Sequence, residues 1–238
     1  MFRRLLGILL ALAGAARAGD RGIPVLVELF TSEGCSSCPP ADALLARLVR
    51  EQPIPGVEVV ALSEHVDYWD SLGWKDRFSS PAFTDRQSGY ASRLGRHNVY
   101  TPQAVVDGRT DVVGTDERGL RSASQAAAAE PHGTLSARRE GSALRIEATL
   151  PTHHGAEVLL AAVEESASSR VERGENAGRT LSHTSVVRSL TRVGETAAAA
   201  WTGRVELQPE QARLRLVLFV QERGSRRVLA SASLPPSG

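Results

Sequence analysis

The chain has 238 residues and a formal net charge of +1. This length accommodates one or two globular domains, each able to bury its own core. The basic residues are scattered along the chain and form no cationic stripe, so composition and charge do not indicate binding to nucleic acid.

The N-terminus has the pattern of an export signal. Arg3 and Arg4 precede an apolar run over residues 5–15, and Ala16-Arg17-Ala18 has the small-residue pattern of a cleavage site. The apolar run is too short to cross a bilayer as a helix, and no later segment is long enough for a transmembrane helix. We therefore expect residues 1–18 to be a signal peptide and the mature protein to be periplasmic or secreted, where disulfides persist.

The only two cysteines, Cys35 and Cys38, lie between a predicted strand over residues 25–30 and a predicted helix that runs from Pro39 to about residue 51. A Cys-x-x-Cys motif at a helix start makes a thiol acidic, because unpaired N–H groups and the helix dipole stabilise the thiolate. The sequence therefore predicts dithiol–disulfide exchange, with Cys35 attacking and Cys38 resolving the mixed disulfide.

Two other interpretations of the cysteine pair stay open. A structural disulfide across so short a loop would stabilise the fold by only about 2 kcal/mol, which favours the redox interpretation. A metal site needs more than two thiolates, since zinc in structural sites takes four ligands. His65, just after the second predicted strand, is the candidate third ligand for copper(I) or zinc. It is equally suited to stabilising a thiolate or to a structural hydrogen bond.

The first half of the chain alternates between strands and helices. The apolar residues 57–62 predict a second strand and so a β-α-β unit with parallel strands. A helix over residues 80–94 follows, with Ser80 as its N-cap. Residues 99–113 then predict a hairpin whose turn is Asp107-Gly108, and an alanine-rich helix runs to Glu130.

Beyond Pro131 the pattern changes to short alternating strands separated by turns. Candidate strands cover residues 144–148, 156–163, 181–190, 201–207, 213–218 and 228–234. Several strands without intervening helices predict an antiparallel β-sandwich-like domain. We therefore expect one α/β domain over residues 19–131 and a β-rich domain over residues 132–238.

The order of elements in the first half resembles a thioredoxin fold with a helical insertion. More closely, the chain resembles a bacterial family of exported thioredoxin-like proteins catalogued as domain of unknown function 1223. Four stretches carry this resemblance: VELFTSEGCSSCPPAD at residues 27–42, HVDYWD at 65–70, YTPQ at 100–103 and GENAGR at 174–179.

The resemblance assigns further site residues. Pro102 would be cis and lie against the cysteine pair, and Thr101 would pair with the extended backbone of a protein substrate. Glu28, the lone charge of the first strand, would be a buried carboxylate that takes the proton of the second thiol. Alternatively, Glu28 faces solvent or pairs with an arginine. Tyr68 and Trp69 would form an apolar rim for peptide, or else belong to the local core.

Taken together, these features predict an exported thiol–disulfide oxidoreductase that acts on protein thiols or disulfides and needs no cofactor beyond its own disulfide. Two alternatives remain. One is a copper(I)- or zinc-binding chaperone that uses Cys35, Cys38 and His65, and the other is a non-catalytic interaction module of thioredoxin-like fold.

Overall fold

The computed structural model describes residues 22–151 and 155–237. The signal peptide predicted over residues 1–18 therefore lies outside the described residues. No helix within the described ranges has the length and apolar character needed to cross a membrane.

The described residues form a mixed α/β fold with one large and one small sheet. The strands are β1 (Ile23–Thr31), β2 (Val57–His65), β3 (Gln103–Val106), β4 (Thr110–Val113), β5 (Thr134–Glu140), β6 (Ala143–Thr149), β7 (Ala156–Arg170), β8 (Thr180–Thr196), β9 (Ala200–Glu206), β10 (Arg215–Glu222) and β11 (Val228–Leu234). The α-helices are α1 (Pro39–Glu51), α2 (Pro81–Arg93), α3 (Glu117–Ala128) and α4 (Pro209–Ala212), and a 3-10 helix spans Asp70–Leu72. The large sheet has the order β11-β10-β7-β8-β2-β1-β3-β4, and the small sheet the order β5-β6-β9.

The predicted β-α-β unit is confirmed. Strands β1 and β2 are parallel, with Ile23 opposite Val57 and Thr31 opposite His65. The intervening helix α1 has Pro39 in its first turn, where the N–H that proline lacks would have no intrahelical partner. Its apolar residues share one face and pack against the sheet.

The predicted hairpin is also confirmed. Strand β3 pairs antiparallel with β1 on one side and with β4 on the other. The turn residues Asp107 and Gly108 have φ angles of 45° and 63°. Two successive residues with positive φ match the right-handed twist of the flanking strands, which explains why Asp-Gly occurs at this turn.

Successive side chains of β1 alternate between two cores on opposite faces of the sheet. Val25, Val27 and Leu29 pack with α1 and α3. Leu26 packs with Phe83 of α2 and with apolar residues of β7, β8 and β10. The helix at the cysteine motif and helix α2 therefore lie on opposite faces.

The small sheet packs against strands β7 and β10 of the large sheet. Leu144 and Ile146 of β6 share a buried apolar cluster with Leu160 of β7 and with Leu216 and Leu218 of β10. Both sheets are antiparallel in this part of the molecule.

The large sheet continues across the predicted domain boundary. Strand β2 contacts β8 through a parallel bridge between Ser63 and Val186. One core cluster contains Leu26 and Leu62 from the first segment together with Leu159 and Phe219 from the second. The division into two domains at residues 131–132 stays a prediction, and the two segments share both a sheet and a core.

Strands β7 and β8 are longer than the sequence indicated. Strand β10 pairs with residues 156–163 of β7, and the strand predicted from the sequence ended at residue 163. Beyond that point β7 and β8 continue as a two-stranded ribbon, the hairpin arm of residues 164–186. The extension was missed because residues 164–170 are mostly polar and largely exposed, so no apolar alternation marks them as a strand.

Candidate functional site

Cys35 and Cys38 form a disulfide at the junction between β1 and α1, with their Cα atoms 5.4 Å apart. Cys38 is the residue that precedes the first turn of α1. Its carbonyl oxygen accepts hydrogen bonds from the N–H groups of Ala41 and Asp42 at 2.8 and 3.1 Å. The predicted position of the cysteine motif at a helix start is confirmed.

Both cysteines are fully buried, at 0% exposure. The two serines between them are exposed, and the hydroxyl of Ser37 lies 3.3 Å from the Sγ atom of Cys35. An incoming thiolate therefore cannot reach either sulfur without a local movement of the residues that bury the pair.

The tip of the hairpin arm, residues 172–178, is hydrogen-bonded to the backbone of the cysteine loop, and we call it the capping loop. The N–H of Val171 donates to the carbonyl oxygen of Arg179 at 2.9 Å, and the N–H of Gly178 donates to that of Val171 at 2.8 Å. Gly174 and Gly178 have φ angles of 79° and 81°, a conformation that strains other residues. These glycines allow the tight turn that returns the chain into β8.

Asn176 attaches the capping loop to the cysteine loop. It is fully buried, and its side-chain amide donates to the carbonyl oxygens of Glu33 and Cys35, both at 2.9 Å. Arg179 donates to the amide oxygen of Asn176 at 2.7 Å. The exposed Glu175 accepts from the N–H of Ser36 at 3.0 Å, and contact with the hydroxyl and the N–H of Ser36 lowers the pKa of Glu175.

Pro102 lies near the base of the cysteine loop. The Thr101-Pro102 peptide bond is cis, as the sequence interpretation expected. A Cβ atom placed on Gly114 would lie 3.0 Å from Pro102 and 3.1 Å from Ala41, three residues after Cys38. This close approach brings the proline and the first turn of α1 together, and only glycine fits between them.

Thr101 and Trp69 connect the proline loop to the cysteine loop. The indole N–H of Trp69 donates to the hydroxyl of Thr101 at 2.9 Å, and a Cβ on Gly34 would lie 3.0 Å from the Cβ of Trp69. The hydroxyl of Tyr68 donates to Gln87 at 3.3 Å. Both aromatic rings are half-buried and pack against a small core, so the proposed peptide rim consists of side chains already held by the fold.

A buried cluster of ionisable groups lies beneath the cysteine and capping loops. Glu33, two residues before Cys35, accepts from the indole N–H of Trp74 at 2.7 Å and from the hydroxyl of Ser169. Burial raises the pKa of Glu33, but contacts with His183, Ser169 and Trp74 outweigh burial and lower it. Glu33 is therefore a carboxylate at neutral pH.

His183 of the hairpin arm lies between two carboxylates. Its Nε2 is 3.4 Å from Glu33, and its Nδ1 is 3.6 Å from Asp42 in the first turn of α1. These distances are ion-pair contacts, longer than ordinary hydrogen bonds. Burial lowers the pKa of His183, but Asp42 and Glu33 overcome this effect and raise the pKa to about 9. His183 is therefore an imidazolium at neutral pH.

No hydrogen bond connects His65 to the cysteines in the described ranges, 22–151 and 155–237. Its Nδ1 lies 2.6 Å from Asp76, whose other contacts include the N–H of Glu33 at 2.8 Å. Burial raises the pKa of Asp76, yet the bond to His65 and the backbone donors lower it overall. Within the described residues, no group of three or more His, Cys, Asp or Glu side chains is arranged to hold a metal. The copper or zinc site at Cys35, Cys38 and His65 stays a prediction.

Glu28 is buried on the sheet face opposite α1. Its carboxylate accepts from Arg86 Nε at 2.5 Å and from the Tyr90 hydroxyl at 2.5 Å. The alternative in which Glu28 pairs with an arginine is therefore the one found in the structure. Burial and the nearby Glu28 charge raise the pKa of Glu64 well above its usual range, which keeps Glu64 neutral beside this pair.

Sequence reasoning missed Glu33, Asp76, Asn176 and His183 as residues around the cysteine pair. Glu33 and Asn176 lie within the VELFTSEGCSSCPPAD and GENAGR stretches, so the sequence contained a local signal for these two. Asp76 and His183 had none, because their positions depend on how the 66–79 loop and the hairpin arm fold over β1.

A family model described as protein of unknown function (DUF1223) matches residues 26–221. The chain belongs to this DUF1223 family. The matched residues include the cysteine pair, Pro102 and the capping loop.

A crystal structure of a protein from Agrobacterium tumefaciens, solved as a structural-genomics target, is similar to this DUF1223 chain. The two share 29% sequence identity with a TM-score of 0.79, over 91% of this chain and 96% of the other. No curated protein matches the chain.

Proposed function

We propose that this DUF1223 protein is an exported thiol–disulfide oxidoreductase with a thioredoxin-like fold that acts on protein thiols or disulfides. The observation that carries the proposal is the Cys35–Cys38 disulfide at the start of α1, near cis-Pro102. Parallel β1 and β2, antiparallel β3 and β4, and α1 and α3 on one face support the thioredoxin-like assignment.

The chemistry is a pair of thiol–disulfide exchanges. In the reduced form, the Cys35 thiolate attacks a substrate disulfide, forms a mixed disulfide and releases one substrate thiolate. The Cys38 thiolate then attacks Cys35 Sγ, which restores the intramolecular disulfide and releases the second substrate thiolate. The same steps in reverse oxidise a substrate dithiol. Solvent supplies and takes up the protons, so no cofactor is required.

Helix α1 favours the thiolate of the first cysteine. The N–H groups of its first turn and its dipole place partial positive charge at the cysteine loop. The N–H of Cys38 donates to the carbonyl oxygen of Cys35 at 3.2 Å, which keeps the loop compact. Because both sulfurs are buried, exchange also requires the capping loop to release Cys35.

Substitution of the attacking cysteine tests the proposal. Cys35→Ser should abolish insulin reduction in the presence of dithiothreitol, whereas Cys38→Ser should accumulate a mixed disulfide at Cys35, visible as a mass increase. Arg50→Gln is the matched control, because it alters the exposed far end of α1 and keeps both sulfurs and their contacts. Equal activity of Cys35→Ser and the wild-type protein would exclude the oxidoreductase.

The complete burial of the disulfide favours a second candidate, the non-catalytic interaction module. In that case the disulfide holds the cysteine loop in the shape that Asn176 recognises. The two candidates differ in one measurement: a module would keep its disulfide in the folded state at dithiothreitol concentrations that reduce an oxidoreductase within minutes.

A further inference from the structure

A cleft of about 780 Å³ lies on the sheet face opposite α1. The first half of α2 forms one wall, and strands β7, β8 and β10 with the turn after β10 form the other. Small-molecule sites in proteins commonly have volumes of about 300–1,000 Å³, so this cleft has the size of a ligand site. It is separate from the cysteine pair.

The lining of the cleft carries more positive than negative charge: Arg77, Arg86, Arg188, Arg223 and Arg226 face Asp85, Glu157 and Glu222. Some of these charges are already paired. Arg86 is bound to Glu28, Arg223 to Glu157 and Glu195, and Glu222 to Arg227.

Three arginines of the lining have no close carboxylate partner in the part of the chain that the structure describes: Arg77, Arg188 and Arg226. Arg226 lies over the ring of Tyr90, whereas Arg77 lies just before α2 and Arg188 on β8. Among the described residues Arg77 forms no ion pair, and it donates to the carbonyl oxygen of Ser168 at 3.0 Å. Within that part of the chain, the carboxylate within 4 Å of Arg188 is that of Glu164 at 3.8 Å, in an exposed pair of little strength. Both side chains are exposed.

Both cations contact the same aromatic ring. The guanidinium carbon of Arg77 lies 4.5 Å from the ring centre of Phe78, and that of Arg188 lies 5.3 Å from it. Cation–π contact with this ring fixes both groups at the Phe78 end of the cleft. An oxyanion bound there would accept charge-assisted hydrogen bonds from guanidinium groups.

The other walls of the cleft add positive potential and an apolar surface. Ser79, Ser80 and Ala82 place the start of the 13-residue helix α2 at the cleft, and its dipole adds positive potential. Phe83, Leu159, Val187 and Leu190 supply an apolar wall.

From these contacts we infer that the cleft binds a small organic anion, with a phosphate, sulfonate or carboxylate group held by Arg77 and Arg188 and an apolar body against Leu159 and Leu190. The competing interpretation is that the arginine stems only cover apolar sheet surface. In that case their charge would not matter to binding.

Fluorescence titration of the full chain separates the two interpretations. The probes are the anionic dye 8-anilinonaphthalene-1-sulfonate and the neutral dye N-phenyl-1-naphthylamine. The wild-type protein should bind the anionic dye saturably at one site, and Arg77→Gln and Arg188→Gln should each weaken binding about tenfold. The neutral dye should bind more weakly and equally to all three proteins.

Two further variants complete the test. Arg204→Gln removes an exposed arginine of β9 outside the cleft and should bind like the wild-type protein. Ala82→Trp fills the cleft without a change in charge and should abolish binding. Circular dichroism confirms that each variant is folded. Absence of saturable binding by the wild-type protein, equal affinity of Arg77→Gln and Arg204→Gln, or unchanged binding by Ala82→Trp would each overturn the inference.

Discussion

Asn176 holds the capping loop on the cysteine loop with one side-chain amide. Every polar atom of this amide has a partner: its N–H groups bind the carbonyl oxygens of Glu33 and Cys35, and its oxygen accepts from Arg179. A carbonyl group left buried without a donor costs about 1–3 kcal/mol. The closed position of the loop is therefore stabilised by a few specific bonds rather than by a large apolar contact.

Asn176→Ala should expose the disulfide. Loss of two hydrogen bonds makes opening of the capping loop easier, and each 1.4 kcal/mol raises the open population about tenfold. We expect reduction of the native disulfide by dithiothreitol to become about ten to a hundred times faster, measured by alkylation and mass spectrometry at timed intervals. Ala177→Ser, a change at an exposed neighbour in the same loop, should leave the rate unchanged. Equal rates in Asn176→Ala and the wild-type protein would show that the loop does not control access.

At the scale of elements, His183 connects strand β8 to helix α1 and to Glu33, which lies two residues before the cysteine motif. Its ring lies between Asp42 and Glu33 and packs 4.7 Å from the ring of His65. A histidine buried between two carboxylates stabilises the fold only while its ring is protonated. The hairpin arm is therefore attached to α1 by a pH-dependent contact.

The sign of this pH dependence follows from the raised pKa. In the folded protein the pKa of His183 is about 9, against an unperturbed value of 6.5. The stabilisation is complete below pH 6.5 and is lost as the pH rises toward 9. The loss is on the order of 3 kcal/mol. We expect the free energy of unfolding from urea titrations to fall over this range in the wild-type protein and to change much less in His183→Gln.

A comparison of the two proteins removes the contribution of groups that titrate alike in both, and leaves that of His183 and the carboxylates it contacts. Arg188→Gln, on the same strand but outside the cluster, should retain the wild-type pH profile. Parallel profiles for the wild-type protein and His183→Gln would contradict the charged state assigned to His183.

The elements that could be predicted from the sequence are those set by local patterns. The β1-α1-β2 unit, the Ser80 N-cap of α2 and the Asp107-Gly108 turn follow from apolar periodicity, capping and positive φ. The arm and its capping loop could not be predicted, because polar strand residues carry no alternation. The contact between Asn176 and Cys35 joins residues separated by 141 positions.

The site residues also divide into those that the sequence marks and those whose positions depend on distant contacts. Cys35 and Cys38 were found from a local motif, whereas cis-Pro102 was expected from the family resemblance. The resemblance predicted a buried carboxylate at Glu28, and Glu28 is buried, while its role as a proton acceptor stays a prediction. Glu33 lies at the strand end, and its burial depends on Trp74, Ser169 and His183, which come from three distant segments.

At the scale of the whole molecule, the two predicted segments are joined by a buried polar network as well as by a shared core. Arg86 of α2 binds Glu28 of β1 and donates to Gln221 of β10 at 3.2 Å. Gln221 in turn donates to the Tyr90 hydroxyl at 2.7 Å. Removal of the second segment would leave the Arg86 guanidinium and the Tyr90 hydroxyl without Gln221, and a buried polar group without a partner costs about 1–3 kcal/mol. We therefore expect the segments to unfold together.

Tryptophan positions allow this cooperativity to be measured. The chain has three tryptophans, and Trp69 and Trp74 belong to the first segment. In Trp201→Phe, fluorescence therefore reports the first segment alone, while far-UV circular dichroism reports both. We expect coincident urea midpoints for the two signals. Adding Phe219→Ala, a buried core residue of β10, should lower the stability reported by fluorescence by about 3–5 kcal/mol. Two separate midpoints, or fluorescence unaffected by Phe219→Ala, would instead establish two independent domains, because a distant truncation reaches Trp69 and Trp74 only through a shared core.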